Sequence, residues 1–185
     1  MARLGIALGL IIALAAPAVT AGPPLSLTAS TDKTQYALDE TIVLTLRLEN
    51  IGTEPTTVTE ATEGTYRVRV TRDGRRVRPE RLLIRFSDDP LVDQVEALRT
   101  LQPTESVDVR HDVGRASPTG AEILEIRLAK ASRKFHQARA STMTVPGVYT
   151  VRLEYRYRGD DGGLPNVFRH RLRSNTVTFT LVAAP

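Results

Sequence analysis

The residues best suited to metal or acid–base chemistry in this 185-residue chain are three histidines, His111, His136 and His170. None belongs to a His-Glu-x-x-His motif, which would place two imidazoles on one ion. The chain also has no Gly-x-Ser-x-Gly elbow, no glycine-rich phosphate loop and no cysteine. Thiol catalysis and cysteine–zinc sites are excluded. We predict no metal, no cofactor and no enzyme activity; an enzyme site assembled in space is the alternative.

Two adjacent acidic pairs, Asp88-Asp89 and Asp160-Asp161, could in principle bind a cation. Calcium requires six to eight oxygen ligands, and neither pair lies in an Asp-x-Asp-x-Asp-Gly loop. Asp160-Asp161-Gly162-Gly163 is more typical of a turn between strands. The tripeptide Arg158-Gly159-Asp160 matches an adhesion motif, but such a short match arises easily by chance in an arginine-rich chain.

Arginine is the most distinctive residue type, because only three of the 25 basic residues are lysines. The planar guanidinium matches the geometry of phosphate, sulfate and carboxylate groups. A first group of arginines falls on one hairpin and its exit: Arg67, Arg69, Arg72, Arg75, Arg76, Arg78, Arg81 and Arg85. A second falls on a later strand and loop: Arg152, Arg156, Arg158, Arg169, Arg171 and Arg173.

These arginines predict a positive surface that attracts polyanions. We take Arg67, Arg69, Arg152 and Arg156 as the candidate surface, and Arg158, Arg169, Arg171 and Arg173 as a candidate loop. A surface that binds single-stranded nucleic acid requires aromatic residues interleaved with the basic ones, whereas Tyr155 and Tyr157 are predicted to face the core. A polyanionic polymer of the cell envelope is therefore favoured over nucleic acid. The alternatives are a simple solvated sheet face and a coding bias towards arginine.

The elements that carry these arginines are predicted β-strands, because apolar and polar residues alternate with a period of two. Tyr149, Val151, Leu153, Tyr155 and Tyr157 share one face of the clearest strand, opposite Thr150, Arg152, Glu154, Arg156 and Arg158. Asp73-Gly74 predicts a tight hairpin turn. The predicted strands are Leu25–Thr31, Thr41–Asn50, Thr65–Thr71 with its hairpin to Pro79, Glu105–Val113, Val148–Arg158 and Asn175–Val182.

Two predictions concern how these elements assemble. Thr65–Thr71 and Val148–Arg158 should lie in the same sheet, so that their arginines share a solvent face. Residues Thr119–Ser141 resist a strand assignment, because Leu124, Leu128 and Phe135 recur at helical spacing. We predict a helical insertion there, although the first part of the segment also alternates as a strand would.

The first 21 residues are typical of a signal peptide: Arg3, an apolar run from Leu4 to Ala16, and small residues before Gly22. The run is shorter than the roughly 20 residues of a membrane-spanning helix. We predict cleavage after Ala21, with Ala18 as the alternative position, and a single domain over residues 22–185. We also predict export to the periplasm or beyond the cell, and no transmembrane segment after cleavage.

The stretch "VPGVYTV" resembles the entry to strand F of immunoglobulin-like domains, with Gly147 in the turn and Tyr149 two residues before a core position. Val151 occupies the position that is cysteine in antibodies. The resemblance implies a disulfide-free sandwich in which the Tyr149 hydroxyl bonds to upstream backbone. It predicts an all-β, antiparallel immunoglobulin-like fold of about seven to nine strands.

The resemblance extends over Tyr36–Glu40, Asn50–Gly52 and Leu101–Val107, whose order is similar to that in bacterial immunoglobulin-like modules. Such modules include the domain that precedes the catalytic unit of secreted aspzincin metallopeptidases and the bacterial intracellular proteinase-inhibitor family. The sequence thus favours a non-enzymatic binding or structural module of the cell envelope, with an envelope protein or a polyanion as partner. A proteinase inhibitor that presents the 158–174 loop is the alternative, and the oligomeric state stays open.

Overall fold

The chain is an all-β protein. A computed structural model describes residues 24–38, 40–61, 65–85, 95–113, 121–127 and 135–183, and every secondary-structure element within them is a strand. Helical backbone occurs there only at Val95 and Glu96. The described strands are β1 (Leu25–Thr31), β2 (Gln35–Ala37), β3 (Ile42–Asn50), β4 (Thr56–Thr59), β5 (Tyr66–Arg72), β6 (Arg75–Arg76), β7 (Glu80–Arg85), β8 (Leu98–Leu101), β9 (Ser106–Val113), β10 (Ala121–Arg127), β11 (Phe135–Met143), β12 (Gly147–Tyr155), β13 (Leu172–Arg173) and β14 (Val177–Val182).

The largest sheet has six strands and contains the arginine-rich hairpin. Its order is β2-β14-β12-β5-β6, with the short β13 also paired to β12. All pairings are antiparallel except that of β2 with β14, which is parallel. The β5–β6 hairpin turns at Asp73 and Gly74, whose φ angles of 47° and 75° are the left-handed values that this turn requires.

A second sheet has three antiparallel strands in the order β1-β3-β9. Strict alternation in β3 buries Ile42, Leu44, Leu46 and Leu48 completely and leaves the intervening residues partly or fully exposed. Burial of each such side chain stabilises the fold by about 2 kcal/mol.

These two sheets share one cluster of buried side chains. The three-stranded sheet contributes Leu25, Leu27, Ile42, Leu44, Leu46, Leu48, Val107 and Val109, and the six-stranded sheet contributes Tyr36, Tyr66, Val70, Tyr149, Val151, Leu153, Tyr155, Leu172, Val177, Phe179 and Leu181. Two further sheets complete the described fold: the three-stranded β10-β11-β7 and the pair β4-β8.

The predicted strands are confirmed with small changes at their ends. β1 has the predicted bounds, β5 and β12 lie in the same sheet as predicted and pair directly, and β14 pairs with β12. The structure describes fourteen strands, more than expected, because short segments such as β2, β6 and β13 have too few residues to show a period.

The helix predicted over Thr119–Ser141 is wrong where the structure describes that segment. Ala121–Arg127 and Phe135–Met143 are strands β10 and β11, and they pair antiparallel from Ala121 opposite Met143 to Arg127 opposite Gln137. The alternation of Leu124 and Ile126 was the correct signal, and pairing of β11 with β7 supplied what local spacing does not show. Residues 1–21, the expected signal peptide, and Asp88-Asp89 lie outside the described residues.

Candidate anion-binding groove

Pairing of β5 with β12 brings the two groups of arginines together. Arg69 lies directly opposite Arg152, and Arg67 lies opposite Glu154. Side chains that are directly opposite in a ladder lie on the same face of the sheet, and the adjacent Val70 and Val151 point to the core. Arg69 and Arg152 are exposed, whereas Arg67 is half-buried.

The short strand β13 adds two arginines from the predicted loop to this face. Arg173 is paired with Glu154 on the far side of β12. Its Nε donates to Glu154 Oε2 at 3.3 Å, and Arg171 Nε lies 3.9 Å from Glu154 Oε1. Arg152 Nε donates to the carbonyl of Ser174 at 3.1 Å, which fixes that guanidinium beside the end of β13.

Two further arginines line the same concave surface. Arg76 extends from β6 and Arg139 from β11, and Val77, Pro79 and Ser141 line the surface as well. We call this surface the arginine groove, and its lining encloses a cavity of about 340 Å³. Its charged members are Arg67, Arg69, Arg76, Arg139, Arg152, Arg171, Arg173 and Glu154.

The arginine groove has a strong excess of positive charge. Seven guanidinium groups face a single carboxylate among the described residues. Glu154 is shared by Arg171 and Arg173, and no described carboxylate forms an ion pair with Arg67, Arg69 or Arg76. A concave surface of one sign of charge concentrates oppositely charged ligands. The arrangement can bind tetrahedral or planar oxyanions through paired guanidinium donors.

A smaller cavity of about 190 Å³ adjoins the arginine groove, since Arg76 and Val77 line both. Arg72, Arg75, Thr142 and Thr144 line it as well. Alternation along β5 turns Arg72 to the side opposite Arg67 and Arg69, so this cavity extends the positive surface around the β5–β6 hairpin.

The remaining predicted arginines lie elsewhere. Arg156 follows the end of β12, where its backbone N–H donates to Thr65, and its side chain is half-buried and does not line the groove. Arg158 is exposed. Arg169 Nη1 donates to the carbonyl of Gly159 at 2.8 Å, and its guanidinium lies 5.8 Å from the Tyr157 ring centre. Arg169 therefore holds the loop rather than the groove.

The 158–174 loop is attached to the body of the protein at several points. Thr57 exchanges backbone hydrogen bonds with Asn166 and Phe168 at 3.0 and 2.8 Å, and the Phe168 side chain is buried. The Tyr157 hydroxyl donates to the carbonyl of Asp160. These contacts make Arg158-Gly159-Asp160 part of a fixed turn, with Asp160 and Asp161 bonded to the backbone N–H groups of Gly162 and Gly163.

The histidines are spread over the fold. His111 lies in β9, His136 in β11 and His170 in the segment before β13. No group of three His, Cys, Asp or Glu residues that could hold a metal ion occurs among the described residues. Within the same part of the chain, no helix is long and apolar enough to cross a membrane.

The opposite face of β5 and β12 packs into a tyrosine-rich core, which supports the strands that carry the groove. Tyr66 and Tyr155 pack edge to face with ring centres 5.5 Å apart. Burial raises the pKa of both phenols, that of Tyr66 well above its ordinary value. The Tyr149 hydroxyl donates to the carbonyl of Val145 at 2.8 Å, as the sequence resemblance implied.

Sequence reasoning found six of the eight charged residues of the groove as candidates or as members of the arginine-rich hairpin. Arg139 was missed, because it fell in the segment predicted as a helix. Glu154 was seen only as an outward-facing strand residue; its position between Arg152 and Arg156 in an alternating strand was the available signal.

Fold and groove together define an all-β protein with a concave, arginine-lined surface on its largest sheet. No protein-family model matches this chain, and no curated protein is similar to it. Among solved structures, the chain is similar to AvmM, which catalyses macrocyclization in alchivemycin A biosynthesis, with a TM-score of 0.33 and 12% identity over 88% of this chain and 90% of AvmM. Similarity at that level does not define a shared fold or activity.

Proposed function

We propose that this chain is a non-enzymatic, exported binding module of the cell envelope, which recognises anionic groups in the arginine groove. The observation that carries the proposal is the convergence of seven arginines from five strands and one loop segment on a single cavity with one carboxylate. A surface that is polar only for solubility does not require arginines from distant parts of the chain to cluster in one cavity.

An immunoglobulin-like sandwich is the scaffold that we propose for this module. In such folds, strands A, B, E and D form one sheet, and strands G, F and C form the other. The order β1-β3-β9 is similar to A-B-E of the first sheet, and β14-β12-β5 to G-F-C of the second. The bond from Tyr149 to Val145, at the start of the strand that corresponds to F, is the second feature in support.

The strength of anion binding depends on guanidinium groups that are not already neutralised. Hydrogen bonds between charged partners contribute about 1.5–3 kcal/mol each. Because Arg69 and Arg152 are exposed and face each other across the ladder, an anion between them relieves their repulsion as well as forming bonds. We therefore expect these two residues to contribute most.

A pair of charge-matched double variants tests the proposal. Arg69→Gln with Arg152→Gln removes two charges from the groove, and Arg47→Gln with Arg158→Gln removes two exposed charges elsewhere. Calorimetric titration with inorganic tripolyphosphate should show a loss of affinity of about tenfold or more for the groove variant. The control should stay within about twofold of the wild-type protein.

Two results would contradict the proposal. One is an equal loss in both variants, which would mean that net charge alone attracts the anion. The other is a wild-type protein that binds neither tripolyphosphate nor a heparin column at low salt.

A further inference from the structure

Three threonines form a row across the six-stranded sheet. Thr71 of β5 lies opposite Thr150 of β12, which in turn lies opposite Thr178 of β14. The hydroxyls of Thr71 and Thr150 are hydrogen-bonded to each other at 2.6 Å. Thr178 is exposed and the other two are half-buried. We call these three residues the threonine row.

The threonine row lies on the same face as the arginine groove. Thr71 and Thr150 are two residues from Arg69 and Arg152 along their strands, and residues i and i+2 of a strand share a face. The next row of the sheet is therefore Arg69 and Arg152, followed by Arg67, Glu154 and Arg173. Successive rows are about 6.8 Å apart, which is two residues of antiparallel strand.

The threonine row and Glu154 accept hydrogen bonds, which arginine cannot do. Each threonine hydroxyl has one donor and two acceptor positions. The bond between Thr71 and Thr150 uses one donor and one acceptor of this pair. The two hydroxyls therefore keep one donor and three acceptor positions for a ligand. Glu154 adds a carboxylate inside the cationic cluster, and its oxygens accept hydrogen bonds from hydroxyl groups of a ligand.

The chemistry that uses all three rows is that of an acidic sugar, with negatively charged groups and hydroxyl groups a few ångströms apart. Its anionic groups bind arginine, and its hydroxyls donate to Glu154 or exchange hydrogen bonds with threonine. No aromatic side chain belongs to these rows, so the described face offers hydrogen bonds and charge rather than ring stacking.

We infer that the ligand of this face is an acidic glycan, whose anionic groups occupy the arginine groove and whose hydroxyls bind the threonine row. This inference rests on the proposed anion-binding function and narrows its ligand. It assigns specificity to Thr71 and Thr150, and it leaves most of the affinity to the arginines.

The test compares a ligand that has hydroxyls with one that has none. The double variant Thr71→Val with Thr150→Val keeps the shape of both side chains and removes both hydroxyls. We expect its affinity for a heparin-derived hexasaccharide to fall by about three- to tenfold, as for the loss of neutral hydrogen bonds. Its affinity for inorganic tripolyphosphate should stay within about twofold of the wild-type value. Thr71→Ser with Thr150→Ser should restore hexasaccharide binding.

The outcomes separate this inference from the proposed function. If the valine variant binds the hexasaccharide as well as the wild-type protein does, the threonine row has no role in recognition, while anion binding stands. If it loses tripolyphosphate to the same extent, the change acts through the fold and the inference fails, a result that thermal unfolding of the variant would corroborate. A wild-type protein that binds neither ligand overturns both.

Discussion

The outer faces of the two sheets that share the buried cluster are built by the same alternation and differ in their charge. On the three-stranded sheet, Arg47 lies opposite Asp108, and their charged groups are 3.5 Å apart. On the six-stranded sheet, Arg69 lies opposite Arg152. Opposite charges across a ladder stabilise a sheet, and like charges destabilise it. Alternation alone explains why each outer face is exposed to solvent. It does not explain why two cationic side chains are paired across the ladder on one of them.

The difference supports the proposal that the arginine-lined face binds a ligand. A solvated face can be made stable with paired charges, as Arg47 and Asp108 show. The six-stranded sheet instead retains a repulsive pair, and Arg76 of β6 and Arg139 of the neighbouring strand β11 line the same cavity. An arrangement that costs stability and concentrates one charge is expected where a ligand supplies the missing countercharge.

The largest effect should come from reversing the charge of the groove. Arg67→Glu, Arg69→Glu and Arg152→Glu together should abolish retention on heparin and lower tripolyphosphate affinity by about a hundredfold or more, because like charges then face the ligand. Wild-type retention should itself weaken with salt, since exposed charges are screened over about 8 Å at physiological ionic strength.

A reversal on the other sheet is the control for this experiment. Arg47→Glu places a carboxylate opposite Asp108 and turns an attractive ladder pair into a repulsive one, yet it should leave retention nearly unchanged. Far-ultraviolet circular dichroism should be the same for all variants. Unchanged retention in the triple variant would mean that the groove arginines are ordinary solvated positions.

A smaller effect should follow from moving positive charge to the other sheet. Thr28 and Ser30 are exposed on β1, and Thr28 lies opposite Arg47. Thr28→Arg with Ser30→Arg, introduced into the Arg69→Gln, Arg152→Gln protein, restores the net charge on the three-stranded sheet, away from the arginine groove. We expect heparin retention to recover in part, because long polyanions respond to any positive surface.

Tripolyphosphate affinity should recover by no more than about twofold in that protein, since exposed and separated charges contribute little. Full recovery of tripolyphosphate binding, measured by calorimetry, would show that the concave shape of the arginine groove is not needed. The comparison would then reduce to a difference in charge count.

The sequence was sufficient to predict strands whose period extends over several residues. Alternation in β3, β5 and β12 is long enough to define a buried and an exposed face, and Asp73-Gly74 defines the hairpin. From these elements β5 and β12 were expected in the same sheet, which is confirmed, whereas the register that sets Arg69 opposite Arg152 comes from the structure. The local sequence pattern was thus enough to predict which strand residues are exposed and that many of them carry positive charge.

The rest of the groove depends on contacts that have no local signal. β13 has two residues and is a strand only because it pairs with Glu154 and Tyr155. Arg139 lies in a segment with both helical and strand spacing, and pairing with β7 and β10 decides between them. Sequence patterns of short range therefore predict the central rows of the face but not its edges.

The smallest effect concerns the inner face of the same sheet, where Tyr66 is buried behind the groove. Its hydroxyl has no hydrogen-bond partner among the described residues, whereas the Tyr155 hydroxyl accepts from the backbone N–H of Thr59 at 3.2 Å. Tyr66→Phe removes a buried polar group without breaking a bond, so we expect stability to be unchanged or raised by about 1 kcal/mol. Tyr155→Phe breaks its bond and should lower stability by about the same amount.

The pH dependence of Tyr66→Phe should distinguish the inner face from the outer one. Burial raises the pKa of Tyr66 in the folded protein, whereas an unfolded tyrosine ionises near its ordinary value of about 10. Above that pH the unfolded chain releases a proton that the folded chain retains. The ionisation of Tyr66 therefore leaves the free energy of unfolding unchanged below about pH 10 and lowers it as the pH rises further. Urea unfolding followed between neutral and alkaline pH should therefore show a shallower loss of stability in Tyr66→Phe than in the wild-type protein. Tripolyphosphate affinity at neutral pH should be the same in both proteins, because Tyr66 lies on the face opposite the arginines. A change in affinity of more than about twofold would mean that core and groove are coupled and that the two faces are not independent.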